Sequence, residues 1–368
     1  MPPPVLLDAT PLSGPHGVRG IGSYVRGLVT GFAALPPEER PRLLVADGAD
    51  APAGFIHHTV RMHHWDAPLI PDPRPARAGA RRVWEIGPEL FHATHPGLMP
   101  DGVPLVATCH DLIPLRYPSL YLRGPRALGR PAYMRAVRRL QHARLVLAPS
   151  QATAHDLVHL AGVPAERIRV IPHGAPAGGA SAPHPAPRDD EAPYVLATQS
   201  LEPHKNMGLP VRAIARVRSG TRLKLAGPWS ARRAARLRRL VDELGVGDRV
   251  DLLGYLDGDE LQRLRAGAVA VLVPSLVEGF ALPVLEAMSA GVPVLVSAGA
   301  GMDEAAGPEV PGLSCTDPGE WADTIDVLAG DPGERLRRIA IGTRRAAEFT
   351  WERCARSTAD AYREALDA

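Results

Sequence analysis

Residues 271–297, VLVPSLVEGFALPVLEAMSAGVPVLVS, constrain the fold more than any other part of the chain. The run at 269–273 is apolar and valine-rich, which suits a strand buried on both faces; a strand with one wet face would alternate. A turn follows, then a helix opening near Pro283, where the missing N–H costs nothing, and stopping at Gly291. Residues 293–297 supply a second buried strand. Two such strands joined through a helix require a parallel sheet, so the class is α/β.

The loop of this unit carries chemistry. Glu278 precedes the helix and Glu286 is expected in its first turn, eight residues on. Between them Gly279, Phe280, Ala281 and Leu282 are expected to offer free backbone N–H groups at the positive end of the helix, a setting that suits phosphate. Two carboxylates beside a phosphate would repel it, so they should face neutral hydroxyls. A nucleotide sugar offers both: ribose hydroxyls for Glu286, sugar hydroxyls for Glu278. Singly, each has a plainer reading, Glu286 favouring its helix dipole and Glu278 solvated. With the glycine and the buried flanks, the functional reading leads.

EGFALPVLE, residues 278–286, resembles the E-x7-E motif of the retaining, nucleotide-sugar-dependent glycosyltransferases of family 4. The resemblance implies the GT-B fold: two Rossmann-like parallel-sheet domains facing across a cleft. It implies transfer of a hexose from a nucleotide diphosphate sugar with retention of configuration, by front-side displacement, without metal or cofactor. GDP-mannose leads as donor, with UDP- and dTDP-sugars behind. The acceptor stays open among a saccharide, a lipid-linked saccharide and a secondary metabolite. The alternatives are a GT-B epimerase or phosphorylase, and a non-catalytic nucleotide-sugar-binding subunit.

Companion segments occur in order. The glycine-rich GVRGIGSY, with Gly20 and Gly22, is similar to the family's first loop, which approaches donor phosphate and acceptor. By itself it is neither a P-loop nor a dinucleotide fingerprint, and it leads into a helix from about residue 21 to 35. HDLIPL ends a strand and resembles the segment whose His, here His110, reaches the donor sugar. Asp111 either orients that His or forms a turn. After a strand at 194–198 comes SLEPHKNM, similar to the family's phosphate-binding Arg/Lys-Lys-Asn motif. Lys205 and Asn206 match it; His204 stands where an arginine is usual, and an unperturbed histidine carries only part of a charge at neutral pH. The nucleobase is implied near Gly254, Tyr255 and Leu256. His110, Asp111, Lys205 and Glu278 are the implied catalytic set. Asp257 and Asp259 read as a turn and helix N-cap rather than a metal pair.

Composition sets the frame. An apolar share of 45% and 22% charged residues describe an ordinary globular chain, and a net charge of +2 argues against bulk nucleic-acid binding. Only two lysines, Lys205 and Lys224, stand among 42 basic residues, so each lysine has a stronger claim to a role than any single arginine. Cys109, Cys315 and Cys354 form no metal or redox spacing, and the start of the chain has no leader pattern, which together suggest a cytoplasmic protein. Seven arginines and no acid lie within 123–144; a solvated face is favoured over contact with an anionic membrane surface or a dock for an acidic acceptor. Strands are expected at 5–7, 42–46, 90–93, 105–108 and 145–148, and 51–82 is expected to be irregular. The Pro-, Ala- and Gly-rich stretch 175–193 marks a linker between an acceptor-side domain, 1–174, and a nucleotide-sugar domain, 194–345. The terminal helix, within 346–368, is expected to cross back to the first domain.

Overall fold

The computed structural model describes residues 4–13, 20–61, 73–123, 129–176, 192–299 and 301–368, with 73–77 as backbone. The chain divides into two compact units, Met1–Gly174 with Phe349–Ala368, and Ala175–Glu348.

In the first unit, β1 (Val5–Asp8), β2 (Arg42–Ala46), β3 (His57–Val60), β4 (Leu90–Ala93), β5 (Leu105–Thr108), β6 (Leu145–Ala148) and β7 (Ile168–Val170) form one sheet. Their order is β3-β2-β1-β4-β5-β6-β7, with every neighbouring pair parallel. The sequence order reverses between β1 and β4. At such a switch point the connections leave toward opposite faces and open a crevice beyond the strands' carboxyl ends. Asp8, Thr94 and His95 stand at those ends.

The C-terminal helix, Trp351–Asp367, packs on the Gly20–Ala33 helix of the same unit. Glycines make the approach close. A Cβ on Gly27 would lie 2.0 Å from the Trp351 indole, one on Gly31 2.1 Å from the Trp351 carbonyl oxygen, and one on Gly174 2.4 Å from its backbone nitrogen. Tyr362 on this helix hydrogen-bonds His92 Nδ1 at 2.6 Å. His92 Nε2 meets Thr108 Oγ1 at 2.8 Å, and that hydroxyl meets Tyr24 Oη at 3.0 Å. All four side chains are buried, so the chain of contacts satisfies polar groups that would otherwise destabilise the core.

In the second unit, β8 (Tyr194–Ala197), β9 (Arg222–Ala226), β10 (Val250–Gly254), β11 (Ala270–Val273) and β12 (Val294–Val296) form a parallel sheet of order β10-β9-β8-β11-β12. Its switch point lies between β8 and β11. The strand–helix–strand expected at 269–297 is present: β11, the helix Leu282–Ser289, then β12, with both strands buried throughout. Trp321, fully buried in the core, donates its indole N–H to Ser314 O at 2.8 Å. Asp257 caps the Gly258–Ala266 helix in a capping box with Glu260, as its sequence suggests.

The stretch expected to be irregular is so only in part, with turn and coil at 51–56. Residues 51–82 hold β3 and most of the helix Pro73–Ile86; 62–72 lie outside the described residues. β7 and β10 were also unexpected. The arginine-rich stretch holds the helix Arg130–Leu140, where Arg135 and Arg138 are exposed. Arg139 on the same helix pairs with Asp101 at 2.7 Å, and Arg144 donates to Ala365 O at 2.5 Å in the last turn of the C-terminal helix. Among the described residues no helix is long and apolar enough to cross a membrane.

The glycine seam generates a prediction. Gly31→Val should lower stability by about 1–3 kcal/mol, because the new Cβ meets backbone that cannot swing aside. Chemical unfolding of the full chain measures it; an unchanged midpoint would contradict the packing described.

Candidate functional site

The switch point of the second unit brings together His204, Lys205, Asn206 and Glu278 of the residues that the sequence singles out. The chain leaves β8, passes Gln199, and makes a short 3-10 turn, Pro203–Lys205. Asn206 follows in the left-handed region at φ 53°, a conformation that asparagine tolerates. On the other side the chain leaves β11, passes Ser275, and reaches Glu278. Leu276 N donates to His204 O at 2.7 Å and ties the two loops together.

Glu278 is buried, at 8% exposure, with donors at both carboxylate oxygens. Lys205 Nζ donates to both carboxylate oxygens at 2.7 Å. Ser275 Oγ donates to Oε1 at 2.5 Å, and Gln199 Nε2 to the same oxygen at 2.9 Å. Burial pushes the Glu278 carboxyl up, but the charge and hydrogen bonds of Lys205, with Ser275 and His204, outweigh it and hold the group below the ordinary carboxylate range.

The other expected donor-site residues fall around this pair in different ways. Burial lowers the His204 imidazole to about 4, with the Lys205 charge acting in the same direction. The partial charge expected of an unperturbed histidine is therefore absent at neutral pH. Asn206 spends its amide Nδ2 on Cys315 O at 2.9 Å. Glu286 pairs with buried Arg265, Nη2 to Oε2 at 2.7 Å, and lies in the second turn of its helix rather than the first, since the helix opens at Leu282. Ala281, at φ 61°, occupies the N-cap position. Gly279 and Phe280 each have an interaction partner of their own. Gly301 crowds this loop: a Cβ there would lie 2.2 Å from Glu278 O. Tyr255, at 57% exposure, and Leu256 stand beyond the end of edge strand β10, two strands from β8 and outside the Glu278 cluster.

In the first unit, His110 follows β5. Its Nε2–H donates to Thr94 O at 2.9 Å, and its Nδ1 faces His173 Nε2 at 3.4 Å. Tyr24 packs edge-on against its ring at 4.8 Å. Both ring nitrogens of His110 are thus directed at Thr94 and His173. Asp111 Oδ1 accepts from Ile113 N at 3.0 Å, the turn-forming alternative. Asp8, fully buried at the end of β1, holds Thr10 through its N–H at 3.0 Å and its hydroxyl at 2.7 Å. Gly97 N donates to His95 Nδ1 at 2.9 Å, which leaves His95 Nε2 to face Asp8 Oδ2 at 3.3 Å. Gly20 and Gly22 lie within the Gly20–Ala33 helix rather than in a loop; Gly14 and Gly17 fall outside the described residues. Among the described residues no three His, Cys, Asp or Glu side chains converge in a way that could hold a metal ion.

Sequence reasoning missed Gln199, Ser275 and Arg265, the partners of the two glutamates. For Gln199 a signal existed, since it lies just past the end of β8. For Arg265 there was none, because it is one arginine among many on a helix face.

Comparison with known proteins places this geometry. The profile described as "Glycosyltransferase Family 4" matches residues 18–177, and "Glycosyl transferases group 1" matches 182–345. The chain belongs to the family 4 glycosyltransferases. A D-inositol 3-phosphate glycosyltransferase from Salinispora tropica is 31% identical over 289 residues, which are 72% of this chain and 60% of that protein. An MMP alpha-(1->4)-mannosyltransferase from Mycolicibacterium hassiacum is 29% identical over 278 residues, 72% of this chain and 66% of that one. The chain thus matches somewhat under two thirds of the length of these curated relatives. Among solved structures, the sucrose-phosphate synthase of Thermosynechococcus elongatus aligns with a TM-score of 0.77 at 22% identity, covering 99% of both chains. Anabaena HepE, solved with UDP and glucose, aligns with a TM-score of 0.72 at 19% identity over 98% of this chain and 99% of that one. The fold is GT-B, as the E-x7-E motif implies.

Among the described residues, this family 4 member buries three imidazoles in their neutral form. Burial lowers His204 to about 4 and His92 to about 3, and holds His173 well below 6.5. In the unfolded chain each titrates near its ordinary value, so below pH of about 6.5 the unfolded state binds protons that the folded state refuses. Stability should fall with pH at about 1.4 kcal/mol per unit for each histidine, starting at about 6.5. A melting temperature that stays flat from pH 6.5 to 5 would contradict the burial of these rings.

Proposed function

We propose that this chain transfers a hexose from a nucleotide diphosphate sugar to an acceptor hydroxyl with retention at the anomeric carbon. The observation that carries the reading is the pair of half-buried Lys205 and buried Glu278 at the switch point of the second unit, where doubly wound sheets hold their ligands. Lys205 supplies positive charge for the diphosphate, and Glu278 and Glu286 accept hydrogen bonds from sugar and ribose hydroxyls. In the transfer, the bond from the anomeric carbon to the phosphate oxygen breaks while the acceptor oxygen bonds on the same face. The acceptor proton passes to the departing phosphate oxygen. Catalysis is then mainly electrostatic, through preorganised donors around the diphosphate. The commitment of Glu278 to Lys205, and of Glu286 to Arg265, favours this over a carboxylate nucleophile working with an acid partner. GDP-mannose is the first donor to test, followed by UDP- and dTDP-sugars; one relative is named a mannosyltransferase. The relatives' names favour a small polyol phosphate or a saccharide as acceptor.

One observation favours a second reading, a non-catalytic nucleotide-sugar-binding subunit. With His204 neutral and Lys205 engaged by Glu278, less positive charge remains for a diphosphate than an arginine at position 204 would give. Transfer or slow hydrolysis of a donor in a single-turnover assay decides for the enzyme; binding without either decides for the subunit.

A thermal-shift panel of GDP-mannose, UDP-glucose and dTDP-glucose identifies the donor, since a ligand that binds only the folded state raises the apparent melting temperature. Glu286→Gln should then weaken that donor by about 1.5–3 kcal/mol, roughly 10- to 150-fold in Kd, because the hydroxyls lose a charged acceptor. An unchanged Kd in calorimetry would remove Glu286 from the site.

A further inference from the structure

We infer that Gln199 is a positioning residue of this site: with Ser275 it locks Glu278 Oε1 inward, so that Oε2 is the oxygen presented to the donor sugar. The inference rests on the functional reading above and adds to it a group outside the motif that sets the orientation of its first glutamate.

The geometry is asymmetric. Oε1 accepts from three donors: Ser275 Oγ at 2.5 Å, Gln199 Nε2 at 2.9 Å and Lys205 Nζ at 2.7 Å. Oε2 accepts from Lys205 Nζ at 2.7 Å. An sp2 carboxylate oxygen has two lone pairs, and three donors around one of them leave little room for a fourth. A further donor, such as a sugar hydroxyl, is therefore directed to Oε2.

Gln199 is itself held at both ends. Trp229 Nε1 donates to its carbonyl oxygen at 3.0 Å, and Gly227 approaches so closely that a Cβ there would lie 2.6 Å from that oxygen. Its side-chain amide reaches Ser275 Oγ at 3.1 Å as well as Glu278. Gln199 is 4% exposed and Ser275 fully buried, so both donors act where water does not compete. Without them, Glu278 could follow Lys205 as that ammonium turns toward a diphosphate. With them, Lys205 can move while the carboxylate stays in place.

The test substitutes the amide by an acid. In Gln199→Glu, two carboxyl groups face each other at hydrogen-bond distance and share one proton, so the pKa of the pair rises. While that proton is present, the introduced carboxylic acid donates to Glu278 as the amide did; once it leaves, the two carboxylates repel. Donor Kd and kcat/KM for GDP-mannose, or for UDP-glucose if the panel selects it, should be near wild type at pH 6. They should worsen about tenfold or more by pH 9, relative to wild type. The donor's diphosphate keeps its charge over this range. A purely structural role would change the melting temperature and leave the pH profile parallel to wild type, and parallel profiles overturn the inference. If Gln199→Glu does not fold, Gln199→Met keeps the length and loses the amide: donor Kd weakened about tenfold supports the inference, and an unchanged Kd overturns it. Glu278→Gln separates the two levels of the argument. If it leaves donor binding and turnover unchanged, the functional reading fails and this inference with it; if it impairs them while the Gln199 variants behave as wild type, only the inference fails.

Discussion

A carboxylate taken out of water must be matched by donors, and the burial of Glu278 organises the second unit around that requirement. Desolvating one ion costs several kcal/mol even after relaxation, and removing a partner from a buried pair typically costs about 3–5 kcal/mol. Lys205, Ser275 and Gln199 provide the match, and they come from the ends of two different strands, β8 and β11. Those strands are neighbours only because the sheet reverses its order there. The topology therefore decides that the pair can form. The pair in turn fixes where the loops after both strands must lie, with Leu276 N on His204 O and Gly301 pressed against the Glu278 carbonyl.

The first unit solves a related problem differently. Its carboxyl-end polar groups, Asp8, Thr94, His95, His110 and His173, meet one another and backbone, with Asp8 Oδ2 making no hydrogen bond and facing His95 Nε2 at 3.3 Å. Deeper in, His92, Thr108, Tyr24 and Tyr362 form a dry hydrogen-bonded chain that includes a residue from the C-terminal helix. That helix belongs to this unit because Gly27, Gly31 and Gly174 leave space for Trp351. Glycine here serves close approach rather than a special backbone conformation.

What the sequence made legible follows from burial. The central strands announce themselves as short apolar runs, since both their faces are covered. The strands that went unread, β3, β7 and β10, are all edge strands: HHTV, IRV and VDLLG, each exposed or half-exposed along much of its length. An edge strand needs no continuous apolar run, so periodicity has nothing to detect. The site shows the same contrast. Glu278, Glu286 and Lys205 were legible through motif spacing, whereas Gln199 lies 79 residues from Glu278 and Arg265 lies 21 from Glu286, separations that only the fold brings together. The neutral state of His204 was not legible, because burial does not follow from the letters HKN.

The central claim is that a nucleotide sugar binds at the Lys205–Glu278 pair, and the composition offers a direct measurement. The chain has two lysines, so a lysine-labelled sample gives two side-chain ammonium signals by NMR. Lys224, stacked over the Tyr194 ring at 4.0 Å, serves as the internal control. Adding the donor selected by the thermal-shift panel should move the Lys205 signal as its ammonium meets the diphosphate, and leave Lys224 in place. If calorimetry shows that donor bound while the Lys205 signal stays where it was, the donor site lies elsewhere and the account is wrong.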